Sequence, residues 1–117
     1  MAQDMTPWPT DLRLLEAGSR LQVDFETGAQ FIIPAELLRV ESPSAEVQGH
    51  GPDQKILVRD KANVKITDME AVGRYAVRLI FDDGHETGIF TWPALFEFGQ
   101  SADQMLADYY ARLSASS

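Results

Sequence analysis

A chain of 117 residues that is 44% hydrophobic and 24% charged has the size and balance of one globular domain, which favours neither a disordered nor a fibrous reading. Ten Lys and Arg against 18 Asp and Glu give a formal charge of -8; phosphate backbones repel such a surface, so nucleic acid is not an expected partner. Cysteine is absent, which removes disulfides, thiolate metal sites and cysteine nucleophiles together.

No run approaches the ~20 apolar residues that span a bilayer, and MAQDMTPWPT at the start has no basic region followed by an apolar one. No membrane association and a cytoplasmic address are therefore expected.

In chain order, residues 1–10, with Pro7 and Pro9, predict a flexible N-terminal segment, and a domain is expected over 11–113. Leu12, Leu14 and Leu15 in the stretch from Asp11 to Arg20 predict a short strand ending near Gly18. Leu21, Val23 and Phe25 alternate with Gln22 and Asp24. The turn at Glu26, Thr27 and Gly28 then leads to Phe31, Ile32 and Ile33, which predicts a hairpin. Pro34 suits the first turn of a helix, carried to about Arg39 by AELLR. Residues 41–54, ESPSAEVQGHGPDQ, lack apolar periodicity and predict a long loop.

Val64, Ile66, Met69 and Val72 predict an irregular strand, Gly73 and Arg74 a turn, and Tyr75 to Phe81 the next strand. Asp82, Asp83, Gly84 and His85 predict a tight hairpin turn and Thr87 to Phe90 its return strand. Thr91 has the chemistry of an N-cap. Ser101 then precedes Met105, Leu106, Tyr109, Tyr110 and Leu113, which predicts an amphipathic helix over about 102–113 before a frayed tail at 114–117. An internal echo is visible: VDFETG, a strand and PAEL, against LIFDDG, a strand and PAL. It reads as one hairpin-then-helix unit used twice. The expected class is α+β: a small mixed or antiparallel sheet built from hairpins, short helices after the hairpins, and a C-terminal amphipathic helix.

Two blocks concentrate unusual residues, SPSAEVQGHG at 42–51 and FDDGHETGIFTW at 81–92, and they hold both histidines. His85 and His50 with Asp82, Asp83 and Glu86 have the chemistry of zinc, iron or manganese ligands, but their spacing matches no recognised ligand set. The plainer alternative is that Asp82, Asp83 and Gly84 make the turn, that His85 bonds backbone beside it, and that His50 is a loop residue between two glycines. Ser42, Ser44, His85 and the aspartates are hydrolase residue types, yet no nucleophile elbow surrounds either serine. Gly49 and Gly51 are not followed by the Lys-Ser/Thr of a phosphate loop. Trp92 with Phe90, Phe96 and Phe98 reads as core packing, or as a partner anchor where exposed.

LRVESPSAEVQGHGP together with VGRYAVRLIFDDGHETGIFTWPAL resembles the family of domains named for the N-terminal part of γ-butyrobetaine hydroxylase, over roughly residues 11 to 112. Members of that family occur alone in bacteria, at the N-terminus of carnitine-pathway dioxygenases, and fused to Mrp-type P-loop ATPases that handle iron–sulfur clusters. In the hydroxylases the resemblance implies a zinc module, with three cysteines in a Leu-Arg-Asp-Asn-Cys-Pro-Cys-Ser-Asp-Cys stretch and one histidine from the Asp-Gly-His turn. Leu38 and Arg39 match the Leu-Arg and His85 the histidine, but Ser42, Ser44 and Val47 fall on the cysteines. Hydroxyls are poor zinc ligands and valine is none. The loop and His85 are therefore expected to hold each other by hydrogen bonds, without metal.

These readings lead to a non-catalytic protein-interaction module. Its expected surface is Ser42, Ser44, Glu46, Gln48, His50, Asp82, Asp83, His85 and Trp92. No resident cofactor is expected, and a monomer or weak homo-oligomer is. The family's fusions imply a protein partner in iron–sulfur cluster assembly or transfer, through a P-loop ATPase. The competing expectation is a zinc or iron domain that uses His85, His50 and acidic residues across a homodimer. An enzyme would need a deep pocket around His50 or His85.

Overall fold

The computed structural model describes residues 7–49 and 55–116. Strand β1 (Pro9–Leu15) pairs antiparallel with β2 (Arg20–Phe25), which pairs antiparallel with β3 (Gln30–Pro34). On β2 the period of two sends Leu21, Val23 and Phe25 into the core and leaves Arg20, Gln22 and Asp24 on the outer side. The register Leu21↔Ile33 and Val23↔Phe31 carries the same apolar face across the sheet. A 3-10 turn (Glu16–Gly18) joins β1 to β2. Gly18 takes φ +97 there, with the Ile66 carbonyl lying where a Cβ would stand.

Pro34 is the N-cap of helix α1 (Ala35–Val40), whose Ala35, Leu37, Leu38 and Val40 are buried. A short helix α2 (Ala45–Gln48) follows. The second half repeats the plan: β4 (Ile66–Val72), β5 (Ala76–Phe81) and β6 (Ile89–Thr91) form a second antiparallel sheet in the order β4-β5-β6, and helix α3 (Trp92–Ser116) leaves its last strand. One core joins the halves, with Leu21, Ile33, Leu37, Leu38, Leu79, Phe90 and Leu95 fully buried. Each such side chain contributes about 1.5–3 kcal/mol relative to exposure.

The α+β class, the antiparallel hairpins and the helix after each hairpin match the sequence reading, although the strands form two sheets. The irregularity expected in the fourth strand is a bulge between Ile66 and Asp68. Thr91 does cap a helix, its Oγ1 accepting from the Ala94 N–H at 3.3 Å.

Other boundaries differ. β1 starts at Pro9, inside the segment expected to be flexible, and the helix expected over 102–113 is the second part of one continuous 25-residue helix. Gly99 lies inside it with the Phe31 ring occupying the space a side chain there would fill, so a residue without a Cβ fits this crossing. The helix continues through Ser116, so the expected tail at 114–117 is helical over its described part. Within the expected loop at 41–54, α2 forms because Ser44 caps it, its Oγ accepting from the Glu46 N–H at 3.1 Å. Residues 50–54, His50 among them, lie outside the described residues.

Candidate functional site

The two blocks singled out in the sequence meet. Gly84, at φ +92, lets the chain turn from β5, and the Gly84 N–H donates to the Phe81 carbonyl at 3.1 Å. This turn points the His85 ring inward, where it is 5% exposed and 5.9 Å from the Phe81 ring. From the other side, α1 and the capped turn of α2 bring up Ser42 and Glu46. Ser42 Oγ lies 3.0 Å from His85 Nε2, and Glu46 Oε1 lies 2.8 Å from His85 Nδ1.

Burial, then the nearby Arg39 guanidinium, lowers the His85 pKa from its ordinary 6.5, against a smaller opposing pull from Glu46. Both effects favour the neutral ring. The Glu46 carboxylate accepts from Nδ1–H, which leaves bare Nε2 to accept from the Ser42 hydroxyl. Ser42 Oγ in turn accepts from the Ser44 N–H at 3.3 Å. Ser44 and Thr87 share a hydroxyl–hydroxyl bond of 2.5 Å, and Gln48 Nε2 donates to the Ser42 carbonyl at 2.8 Å. Each of these bonds ties the 42–48 segment to the 82–88 turn or to itself.

A charged group flanks this cluster. Asp83 Oδ1 accepts from the His85 N–H at 3.0 Å, and Asp83 Oδ2 lies 2.7 Å from both Arg39 Nε and Lys61 Nζ. Burial pushes the Asp83 carboxyl upward. The Lys61 ammonium, the His85 N–H and the Arg39 guanidinium together outweigh that effect and hold it well below the usual carboxylate range.

Serine, imidazole and carboxylate here have the connectivity of a hydrolase triad, with Glu46 in the carboxylate place rather than either aspartate. Access is another matter. Ser42 is 0% exposed, and Gly88 lies so close that a Cβ added there would overlap Ser42 Oγ. Two adjoining cavities of about 360 Å³ each lie between the end of α1, residues 55–57 and α3, lined in part by Glu41, Lys55 and Arg112; neither is lined by Ser42 or His85.

Nor does the cluster fit zinc. Its oxygen donors are the neutral hydroxyls of Ser42, Ser44 and Thr87 and the Glu46 carboxylate, which is already paired with His85 Nδ1; Val47 offers a buried methyl surface, and both nitrogens of His85 are engaged. Among the described residues no three His, Asp or Glu side chains lie together as a ligand set. The expected hydrogen bonding between the loop and His85 is present, Ser42 Oγ lying 3.0 Å from His85 Nε2.

The expected interaction surface divides. Glu46 and Asp82 are exposed and Gln48 is half-buried, whereas Ser42, Ser44 and His85 face inward and cannot touch a partner. Trp92 is elsewhere. Its Nε1–H donates to the Arg74 carbonyl at 2.7 Å, at the opposite end of six-residue β5 from the 82–85 turn, roughly 20 Å away along the strand. The aromatic group around it packs as expected, with Phe90 and Phe98 buried and 5.7 Å apart and Phe96 edge-on to Phe25 and Phe31. Sequence reasoning missed the roles of Arg39, Lys61 and Thr87, and Glu46 as the partner of the imidazole. The signal for Glu46 was the serine cap two residues before it.

Comparison with known proteins follows this geometry. The family model described as "Gamma-butyrobetaine hydroxylase-like, N-terminal" matches residues 12–96. Two proteins with NMR solution structures are similar over nearly the whole chain. One is 44% identical over 99% of this chain and 86% of its own, with a TM-score of 0.83. The other is 43% identical over 95% of this chain and 87% of its own, with a TM-score of 0.80. A crystal structure from Acidithiobacillus ferrooxidans, of a DUF971-family protein with unknown function, is 36% identical over 80% of this chain and 93% of its own, with a TM-score of 0.64. No protein of curated function matches.

Proposed function

We propose that this chain, which belongs to the gamma-butyrobetaine hydroxylase-like N-terminal family, is a non-catalytic docking module whose Ser42–His85–Glu46 cluster is a latch rather than an active centre. The observation that carries this reading is the sealed hydroxyl. Ser42 has the base it would need at 3.0 Å, yet it is fully buried behind Gly88, so no acyl group reaches it. What the latch does instead is fix the 42–48 segment against the 82–88 turn. Glu46, Asp82 and Glu86 are exposed on these two segments, and they favour a protein partner with basic side chains at the contact.

The proposed partner class is a factor of iron–sulfur cluster assembly or transfer, including a P-loop ATPase. Support for that part comes from the fusions known in the family alone. The test is affinity capture from cell extract with the parent and with Glu46→Lys/Glu86→Lys, captured proteins being identified by mass spectrometry. A cluster factor retained by the parent and lost by the variant is expected. Equal recovery by both chains refutes the docking face, and absence of any cluster factor removes the iron–sulfur link. Turnover of simple esters that Ser42→Ala abolishes would refute the non-catalytic reading.

A further inference from the structure

The two halves of the chain agree in detail far beyond the echo in their sequences. β1 and β4 are each seven residues long, β2 and β5 each six. Each first strand carries a bulge at the same place, between Pro9 and Asp11 opposite Phe25, and between Ile66 and Asp68 opposite Phe81.

Their turns share a hydrogen-bond set. Phe25 N–H donates to the Ala29 carbonyl at 2.8 Å and Phe81 N–H to the His85 carbonyl at 2.9 Å; Glu26 N–H reaches the Trp8 carbonyl at 2.9 Å and Asp82 N–H the Lys65 carbonyl at 2.8 Å. Gly28 and Gly84 take φ +93 and +92. Thr27 Oγ1 accepts from the Ala29 N–H as Asp83 Oδ1 does from the His85 N–H. Even the helix entries match, with Ala35 N–H on the Ser19 carbonyl at 2.8 Å and Trp92 N–H on the Tyr75 carbonyl at 3.1 Å.

This alignment equates Arg39 with Phe96 and Ser42 with Gly99 on the helix side, and His85 with Ala29 and Gly88 with Phe31 on the sheet side. The contacts are then reciprocal. Phe96 from the second half packs edge-on against Phe25 and Phe31 of the first, and Gly99 lies against Phe31. Arg39 from the first half pairs with Asp83 of the second, Ser42 bonds His85, and Gly88 lies against Ser42.

We infer that the chain is an internal duplication of one β-β-β-helix unit, each copy's helix segment packing across onto the other copy, through Arg39 and Ser42 at and just past the end of α1 and through Phe96 and Gly99 inside α3. On this inference the Arg39, Ser42, Asp83 and His85 set is the polar version of a junction that the other copy builds from Phe96 and Gly99 against Phe25 and Phe31, with Thr27 and Ala29 at the positions of Asp83 and His85. The frame therefore does not need the polar set in order to fold. Replacing both members of a buried polar pair such as Ser42 and His85 by well-packed apolar groups is commonly neutral or stabilising, and the aromatic junction supplies the packing. The polar residues of this junction are the part of the chain given over to function. Only this last statement rests on the docking reading, because the duplication stands on backbone geometry.

The test transplants the aromatic junction: Arg39→Phe, Ser42→Gly, Asp83→Thr, His85→Ala and Gly88→Phe in one chain, against the parent and His85→Ala alone. The transplant is expected to keep the parent's amide chemical-shift pattern away from the junction and to unfold in urea at a midpoint no lower than the parent's. A midpoint below that of His85→Ala overturns the inference.

Two double-mutant cycles test the reciprocity without that extensive change. Gly88→Ala should lower the midpoint less in a Ser42→Gly background, and Gly99→Ala less in a Phe31→Gly background. Coupling at one junction and none at the other also overturns the inference. A transplant that folds as the parent does but still captures the same partner would refute the docking reading while leaving the duplication intact.

Discussion

Removing one oxygen tests the latch. Ser42→Ala leaves the backbone free to keep its path, because alanine fits wherever this serine does and opens no cavity larger than a hydroxyl. Two bonds are lost, the 3.0 Å bond to His85 Nε2 and the 3.3 Å bond from the Ser44 N–H. Water cannot replace the hydroxyl at a position that is 0% exposed, so the imidazole nitrogen is left as a buried acceptor without a donor. A deletion of this kind costs about 1–3 kcal/mol. For a domain of this size each kcal/mol corresponds to about 3–6 °C in Tm, between the values for smaller and larger domains. Urea and thermal denaturation followed by circular dichroism measure the loss directly. In a His85→Ala background the same substitution should cost at least ~0.5 kcal/mol less, since its main partner is gone. A loss in the parent below ~0.5 kcal/mol, or full additivity of the two changes, would refute the latch.

Three further outcomes are expected. The His85 pKa lies below 6.5 in the folded chain, so between the folded and unfolded values the unfolded chain binds more protons. The His85 contribution to stability is complete above pH 6.5 and is lost as pH falls through the folded value; urea midpoints from about pH 5 to pH 8 should show this slope in the parent, reduced in His85→Ala. Asp83→Asn should cost about 1–3 kcal/mol, because Arg39 and Lys61 lose their shared counter-ion beside a half-closed surface, and equal stability of the two chains would contradict this. Ser42→Cys/Ser44→Cys/Val47→Cys restores the residue types that the resemblance implies for zinc in the family's hydroxylases; it should bind about one equivalent by metal analysis, whereas the parent purified without a histidine tag should hold less than ~0.1.

What was legible in the sequence was local. Leu21, Val23 and Phe25 alternate because one face of β2 is buried, Gly84 marks a turn because it must take positive φ, and Thr91 caps because its hydroxyl reaches the Ala94 N–H. What escaped depended on distant partners. The start of α3 at Trp92 and the packing of the Phe31 ring on Gly99 inside it are not visible in the local pattern that predicts a helix only after Ser101. Glu46 looks like a solvated charge until α2 swings it to His85, which lies across the chain from it.

The internal echo was real in its first part, since Phe25 and Phe81 occupy equivalent places. Its second part was misaligned by two residues: Pro34 pairs with Arg20 as Thr91 pairs with Ala76, so Pro34 corresponds to Thr91 and not to Pro93. Helix-starting chemistry recurs at both sites for the same physical reason, and that likeness hid the true register. The substitution of Ser42, Ser44 and Val47 for cysteine was readable at once, because it turns on residue type and not on geometry.

The central claim, that a neutral buried imidazole joins Ser42 to Glu46 with no metal, is most directly tested by the ring nitrogens of His85. Long-range ¹H–¹⁵N correlation on ¹⁵N-labelled protein at neutral pH distinguishes a protonated from a bare ring nitrogen and reports any metal bound to either. The account predicts Nδ1 protonated toward Glu46, Nε2 bare toward Ser42, and no change when one equivalent of zinc is added. A ring protonated at Nε2, or one whose nitrogen shifts move on addition of zinc, would contradict it.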